Sequence, residues 1–282
     1  MRIVKIILLT GLIFGISGCG PTARADQVSS PALSPVPTLS LQAETPDETA
    51  EASIAEVPND GYYHGAQPVL ILMYHYVREM APADDVIGRG LTVTPATFER
   101  HLQQLLAAGY QTVTPQTLRS GTLPPKPVII TIDDGYSDAY SQAFPILQKF
   151  GSQAVFYVIT NRVGQDGFMS WPQIQEMAAY GMTFGSHTLD HVDLTETALS
   201  PERLNGELVK SKQVLDGQLG RPVTDFCYPS GQYNDAVVAS VKAAGYMSAT
   251  TTVGKVTQNG DSWLTLPRVR MEESTDLTKL LK

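Results

Sequence analysis

From residue 68 to residue 252 the sequence alternates short, unbroken apolar runs with longer amphipathic stretches. Val69-Leu70-Ile71-Leu72-Met73-Tyr74 has no polar interruption, as expected of a strand covered on both faces. Thr94-Pro95 then opens a helix that places Phe98, Leu102, Leu105 and Leu106 on one side. The pairing recurs as a strand over 128–133 with a helix over 137–150, then a strand over 153–159 with a helix over 171–180 ended by Gly181. A strand over 182–186 precedes a helix capped at Ser200-Pro201, whose Leu204, Leu208, Leu215 and Leu219 form one stripe before Gly220. A strand over 225–228, a helix over 234–244 and a strand over 247–252 complete the series. Strands alternating with helices force a mostly parallel sheet. Six or seven such units predict an α/β fold, a distorted (β/α) barrel of about seven parallel strands, with an open doubly wound sheet as the alternative. There is no repeat of fixed period, and no glycine-rich phosphate loop follows a strand, so nucleotide binding has no support.

The first 66 residues depart from this pattern. Met1-Arg2-Ile3-Val4-Lys5 is a positive start, residues 6–16 are apolar but too few to span a bilayer, and Ile16-Ser17-Gly18-Cys19 supplies small residues for cleavage, so 1–19 reads as an export signal. A cysteine directly after Ser-Gly resembles the lipobox of bacterial lipoproteins, which implies that Cys19 is lipidated and anchors the mature chain to a membrane. Residues 20–66 are rich in Pro, Ala, Ser, Thr and Glu and lack aliphatic periodicity, so they are expected to form a disordered linker. The folded domain is then 67–282, long enough for one sizeable core.

Charge narrows the partners. The sequence holds 20 Lys+Arg against 28 Asp+Glu, and the linker contributes much of the acidic excess, so no basic face for nucleic acid is built. Its only cysteines are Cys19 and Cys227. A lipidated Cys19 could not pair with Cys227, so the exported domain has no internal disulfide and Cys227 is expected to be a small buried hydrophobe.

The candidate chemistry lies where strands run out. Asp133 and Asp134 follow Val128-Ile129-Ile130-Thr131-Ile132, and the carboxyl ends of strands are where α/β folds collect reactive groups. About fifty residues on, His187 and His191 stand four apart, which puts both imidazoles on one side if the segment makes a helical turn. Asp134 can add a carboxylate, giving an Asp-His-His set with open positions for water and substrate. Asp133, left off the ion, is then placed to act as general base.

Thr131-Ile132-Asp133-Asp134-Gly135 and Ser186-His187-Thr188-Leu189-Asp190-His191 are similar to the first two motifs of the polysaccharide deacetylase family, the NodB-homology carbohydrate esterases. The resemblance covers roughly residues 68–270. It implies a divalent metal, usually zinc, on Asp134, His187 and His191, with Asp133 as the base that removes an N-acetyl group from a sugar. The third motif of the family appears as Cys227-Tyr228-Pro229-Ser230-Gly231, with its arginine missing and its turn retained. Tyr228, Pro229, Ser230 and Gly231 are therefore expected beside the substrate, with a backbone N–H near Ser230 completing an oxyanion site. The missing arginine normally contacts the base, and Arg268 in Leu266-Pro267-Arg268 is the candidate replacement. The late Leu-x-His motif is also absent, because no histidine follows His191. Met73-Tyr74-His75-Tyr76 resembles the early Tyr-His motif of the branch acting on extracellular poly-N-acetylglucosamine, where circular permutation brings that histidine into the acid's place, so His75 is the candidate acid. No chemistry falls to His64 or His101. Tyr74, Tyr76, Tyr136, Tyr228 and Trp171 are candidates for a sugar-stacking groove or for core.

Together these readings lead to an exported, membrane-anchored lipoprotein of the bacterial cell envelope, a metal-dependent N-deacetylase of N-acetylglucosamine-containing polysaccharide. A non-catalytic carbohydrate-binding lipoprotein on the same fold is the alternative, motivated by the missing arginine and late histidine. A non-haem iron oxygenase shares the two-histidine, one-carboxylate set, but the strand-helix alternation and the spare Asp133 favour hydrolysis.

Overall fold

In a computed structural model of the protein, residues 60–81, 86–196 and 199–281 are described. The expected signal peptide with Cys19, and the expected linker up to residue 59, lie outside the described residues. Residues 60–66 correct the linker boundary, because they belong to the fold. The Tyr63 ring is buried and meets Trp263 edge-on at 5.7 Å, its N–H donates to Asp261 O at 2.8 Å, and Tyr62 bridges Ser262. Two adjacent tyrosines supply apolar area that the average composition of the linker conceals.

In chain order the elements are β1 Leu70–Tyr74, β2 Tyr76–Val77, α1 Val86–Leu91, β3 Thr92–Val93, α2 Pro95–Ala107, β4 Gln111–Thr112, α3 Pro115–Ser120, β5 Pro127–Ile132, α4 Phe144–Lys149, β6 Val155–Val158, α5 Trp171–Ala179, β7 Thr183–Ser186, α6 Pro201–Asn205, α7 Ser211–Leu219, β8 Asp225–Cys227, α8 Asp235–Ala243, β9 Ser248–Thr250 and β10 Val269–Arg270. The expected starts of α2, α6 and α8 are capped, with Thr94, Ser200 and Asn234 each accepting the backbone N–H three residues on. Among the described residues no helix is long and apolar enough to cross a membrane.

The main sheet runs β10-β1-β5-β6-β7-β8-β9, with every pairing parallel and β4 added beside the start of β5. Its two ends approach each other. Leu266 bridges Thr250 next to β9, and only three residues later Val269 pairs with Leu72 of β1. Three residues span about 10 Å, so the sheet must curl into a barrel whose last stave is the 266–270 segment. This is the distorted (β/α) barrel expected from the alternation.

Side-chain alternation sorts the core into layers. Leu70, Leu72, Val128, Ile130, Phe156 and Phe184 face outward and pack under α2, α4, α5 and α7 with Phe98, Leu102, Phe144, Ile174 and Leu215. Ile71, Ile129, Val155, Tyr157 and Cys227 face inward and form a separate apolar plug with Trp263 and Leu266. Gly185 is required by that plug, since a Cβ there would stand 2.5 Å from the Tyr157 ring. Above the plug the same inward register continues through Thr131 to Asp133, so the interior turns polar toward the carboxyl ends of the strands.

Candidate active site

The carboxyl ends of the strands supply every reactive side chain. His75 follows β1, Asp133 and Asp134 follow β5, His187 follows β7, Tyr228 follows β8, and Arg268 rises from the closing segment. They line one groove of about 660 Å³ together with Tyr136, Phe168, Arg162, Asp190, Ser230 and Arg270.

Asp133 and Asp134 both reach the groove because the backbone turns sharply between them. Consecutive residues of a strand point to opposite faces, but Asp134 is in the left-handed region with φ 73° and Gly135 follows at φ 82°. Asp134 Oδ1 lies 3.4 Å from His187 Nε2 and 3.6 Å from His191 Nε2. Ligand atoms on one tetrahedral zinc at bonds of about 2.0–2.1 Å stand roughly 3.4 Å apart, so these donors suit a shared ion. His187 Nδ1 donates to Cys227 O at 2.8 Å, which turns Nε2 toward Asp134, the orientation a ligating imidazole needs.

The helical turn expected to align the two histidines is not formed. Residues 187–193 are loop, with Thr188 at φ 66° and His191 at φ 61°, and these two left-handed positions bring the rings to a centroid separation of 4.7 Å. The four-residue spacing does bring the rings together, through a loop in place of a helical turn.

Asp133 has a different environment. Arg268 donates from Nη1 to Asp133 Oδ1 at 2.7 Å and from Nη2 to Oδ2 at 2.8 Å. Its remaining donors go to Thr131 Oγ1 at 2.9 Å, Thr251 O at 2.9 Å and Cys227 Sγ at 3.1 Å, so all five N–H groups of a fully buried guanidinium are used. Burial opposes ionisation of Asp133, but the adjacent Arg268 charge outweighs it and holds the carboxyl well below the usual carboxylate range. Burial likewise opposes ionisation of Asp134, where hydrogen bonding and charge from His187 prevail and lower its pKa.

A second donor set, Asp133, His187 and Cys227, also converges. A cation there would press against the Arg268 guanidinium, which already occupies both Asp133 oxygens and Cys227 Sγ. Electrostatics therefore favours Asp134, His187 and His191 as the metal set.

His75 Nε2 is 3.8 Å from Asp133 Oδ2 and its side chain is 13% exposed. Burial pushes its pKa down, with the charges of Asp133 and Asp134 working against that. The 228–231 turn lines the same groove through Tyr228 and Ser230. Ser230 is left-handed at φ 52°, and its N–H has no hydrogen-bond partner among the described residues. Gly231 cannot carry a side chain, because a Cβ would fall 2.0 Å from Thr252 Oγ1. Cys227 sits buried beneath, as expected, where the family's motif has arginine.

The aromatic set divides. Tyr136 lines the groove, stacked at 4.0 Å on Tyr76 and followed by Phe168 at 5.1 Å. Tyr74 points into the outer core beneath α2, its hydroxyl donating to His101 Nδ1 at 3.1 Å, and Trp171 packs on the same core, so neither offers a face to sugar. The Tyr228 ring is buried with its hydroxyl on Leu264 O at 2.9 Å. Sequence reasoning did not single out Phe168, Arg162 or Arg270, which lie outside any motif, or Asp190, a position inside the second motif to which no role was given.

Arg268→Met tests the buried pair. The folded pKa of Asp133 lies below its unfolded value, so the pair adds stability that is complete above the unfolded pKa of about 3.9 and is lost as pH falls through the folded value. Without the guanidinium, burial is the largest influence on Asp133, ahead of the opposing charges of His75 and His187, and raises its pKa. Urea unfolding should show a loss of about 3–5 kcal/mol at pH 7 that shrinks at pH 4, where Asp133 can take up a proton; an equal loss at both pH values would contradict the pairing.

Comparison with known proteins places the fold and site in one family. The polysaccharide deacetylase family model matches residues 120–249. YxkH of Bacillus subtilis, named as a polysaccharide deacetylase, is 34% identical over 206 residues, which cover 71% of this chain and 70% of that protein. The poly-beta-1,6-N-acetyl-D-glucosamine N-deacetylase of Staphylococcus epidermidis is 28% identical over 225 residues, covering 71% of this chain and 78% of its own. The solved Streptococcus pyogenes deacetylase PplD in complex with acetate superposes with a TM-score of 0.70 at 32% identity, over 76% of this chain and 97% of that one. The chain belongs to the polysaccharide deacetylase family and is a hydrolase of that class.

Proposed function

We propose that the protein removes N-acetyl groups from an N-acetylglucosamine-containing polysaccharide at the bacterial cell envelope, with a divalent ion, zinc by preference, held by Asp134, His187 and His191. The observation that carries this reading is the pair of carboxylates with separate partners: Asp134 faces two imidazole nitrogens, while Asp133 faces Arg268 and stays off the ion. When bound, the ion would polarise the acetamide carbonyl and make water acidic enough to lose a proton near neutral pH.

Asp133 takes that proton. Its depressed pKa makes it a weak base, so the transfer depends on the acidity of the water, and Arg268 acts only through Asp133. His75, on the other flank of Asp133, supplies the proton that the departing sugar amine needs, and acetate and a free amine result. Ser230 lines the groove, and its unpaired N–H is the candidate donor to the carbonyl oxygen as it gathers charge. A non-catalytic binder was motivated by the missing arginine and late histidine; the contacts of Arg268 with both Asp133 oxygens and of His75 with Asp133 at 3.8 Å support the enzyme reading over it. The lipidated Cys19 and the membrane anchor belong to this proposal as well, on the strength of the Ser17-Gly18-Cys19 signal.

Incubating the purified domain with β-1,6-linked N-acetylglucosamine oligomers should release acetate, cease with chelator and recover with added zinc. Release of no acetate by metal-loaded protein from these and from peptidoglycan oligomers would instead support a binder.

A further inference from the structure

One fully buried carboxylate has no part in the chemistry above. Glu207 lies on a π-helical turn, residues 206–210, that interrupts the continuous helix formed by α6 and α7. Its Oε2 accepts the backbone N–H groups of both Leu189 and Asp190 at 2.9 Å. Those residues lie between His187 and His191. Glu207 Oε1 is 2.7 Å from Arg203 Nη2, which also pairs with Asp190 Oδ2. Asn161 Nδ2 donates to the other Asp190 oxygen.

We infer that Glu207 is a positioning residue for metal binding, holding the 187–191 loop in the conformation that aims both imidazoles at Asp134, with Arg203 ion-paired to both the carboxylate and Asp190. The inference rests on the reading of His187 and His191 as ligands.

Two features show what the carboxylate offsets. Thr188 and His191 are both left-handed, a conformation β-branched residues avoid and one that persists only where the surroundings over-determine it. Successive N–H groups that converge on one anion fix such a loop, and here the anion is a side chain of the protein itself. The remaining ties are to neutral partners. His191 N–H donates to Thr188 Oγ1 at 2.8 Å, Thr188 N–H to Ser186 Oγ at 3.2 Å, Asn161 N–H to Leu189 O at 3.0 Å and Thr160 N–H to Thr188 O at 3.2 Å. The π-turn adds one residue to the helical repeat at the position of Glu207, a feature that recurs at functional sites because it re-aims a side chain without ending the helix.

The test is zinc affinity of metal-free protein, read by competition with a chromophoric chelator at a temperature where circular dichroism shows each variant folded. Glu207→Leu should bind zinc about 10–100-fold more weakly. Glu207→Gln keeps an acceptor oxygen for the two N–H groups and should recover most of that loss, which a general packing defect would not explain. His187→Ala serves as the reference. If His187→Ala binds zinc normally, the ligand assignment fails and takes this inference with it; if His187→Ala loses zinc while Glu207→Leu binds as wild type, only this inference is overturned. Should Glu207→Leu not fold, amide exchange in metal-free wild type decides. The Leu189 and Asp190 N–H groups should exchange at least about tenfold more slowly than in an unstructured chain, and exchange at the free rate would overturn the proposal.

Discussion

Asp133→Asn should lower kcat/KM by about 10²–10⁴-fold while zinc content stays that of the wild type. The amide matches the carboxylate in shape and still offers one oxygen to Arg268, so the buried guanidinium is not abandoned. What it lacks is the ability to accept a proton from water. The loss should fall on kcat with KM little changed, because Asp133 serves the reaction step and not the grip on the sugar. Asp134, His187 and His191 keep their contacts, so the metal set is untouched. Acetate-release kinetics with parallel metal analysis check this; a variant that loses zinc and activity together would place Asp133 on the ion instead.

His187→Ala should give the second large effect, loss of tightly bound zinc and of activity in the same step. His187 is the most tightly held of the three proposed ligands. It is buried, its backbone N–H donates to Val158 O at 3.0 Å, and its Nδ1 donates to Cys227 O at 2.8 Å. Removing it leaves Asp134 and the partly exposed His191, too few donors for a stable site. Dialysis followed by metal analysis should find the wild type retaining zinc and the variant empty. Retention of full zinc by the variant would remove His187 from the ligand set.

Much of this site could be read before the fold was known because it sits on features with local signatures. β1, β5 and β6 are unbroken or nearly unbroken apolar runs, and the helix starts at Thr94, Ser200 and Asn234 carry caps that sequence displays directly. Elements of two residues, such as β4 and β10, have too little periodicity to register, and β10 is the stave that closes the barrel. The pairing of Asp133 with Arg268 joins residues 135 positions apart. No spacing rule reaches that far, and only the absence of arginine from the Cys227 motif prompted the search for a replacement. The 187–191 loop misled for a related reason, since a four-residue spacing suits a helical turn as well as a loop with two left-handed residues. Glu207 left no trace at all. A glutamate on an amphipathic helix reads as a solvated charge until the fold buries it against the loop it holds.

X-ray absorption at the zinc edge of the loaded protein tests the central claim most directly, because the two convergent donor sets share His187 and differ in sulfur. Coordination by Asp134, His187 and His191 predicts nitrogen and oxygen scatterers alone at about 2.0–2.2 Å. A sulfur shell near 2.3 Å would place the ion on Cys227 and Asp133 and contradict the assignment of Asp133 as the free base.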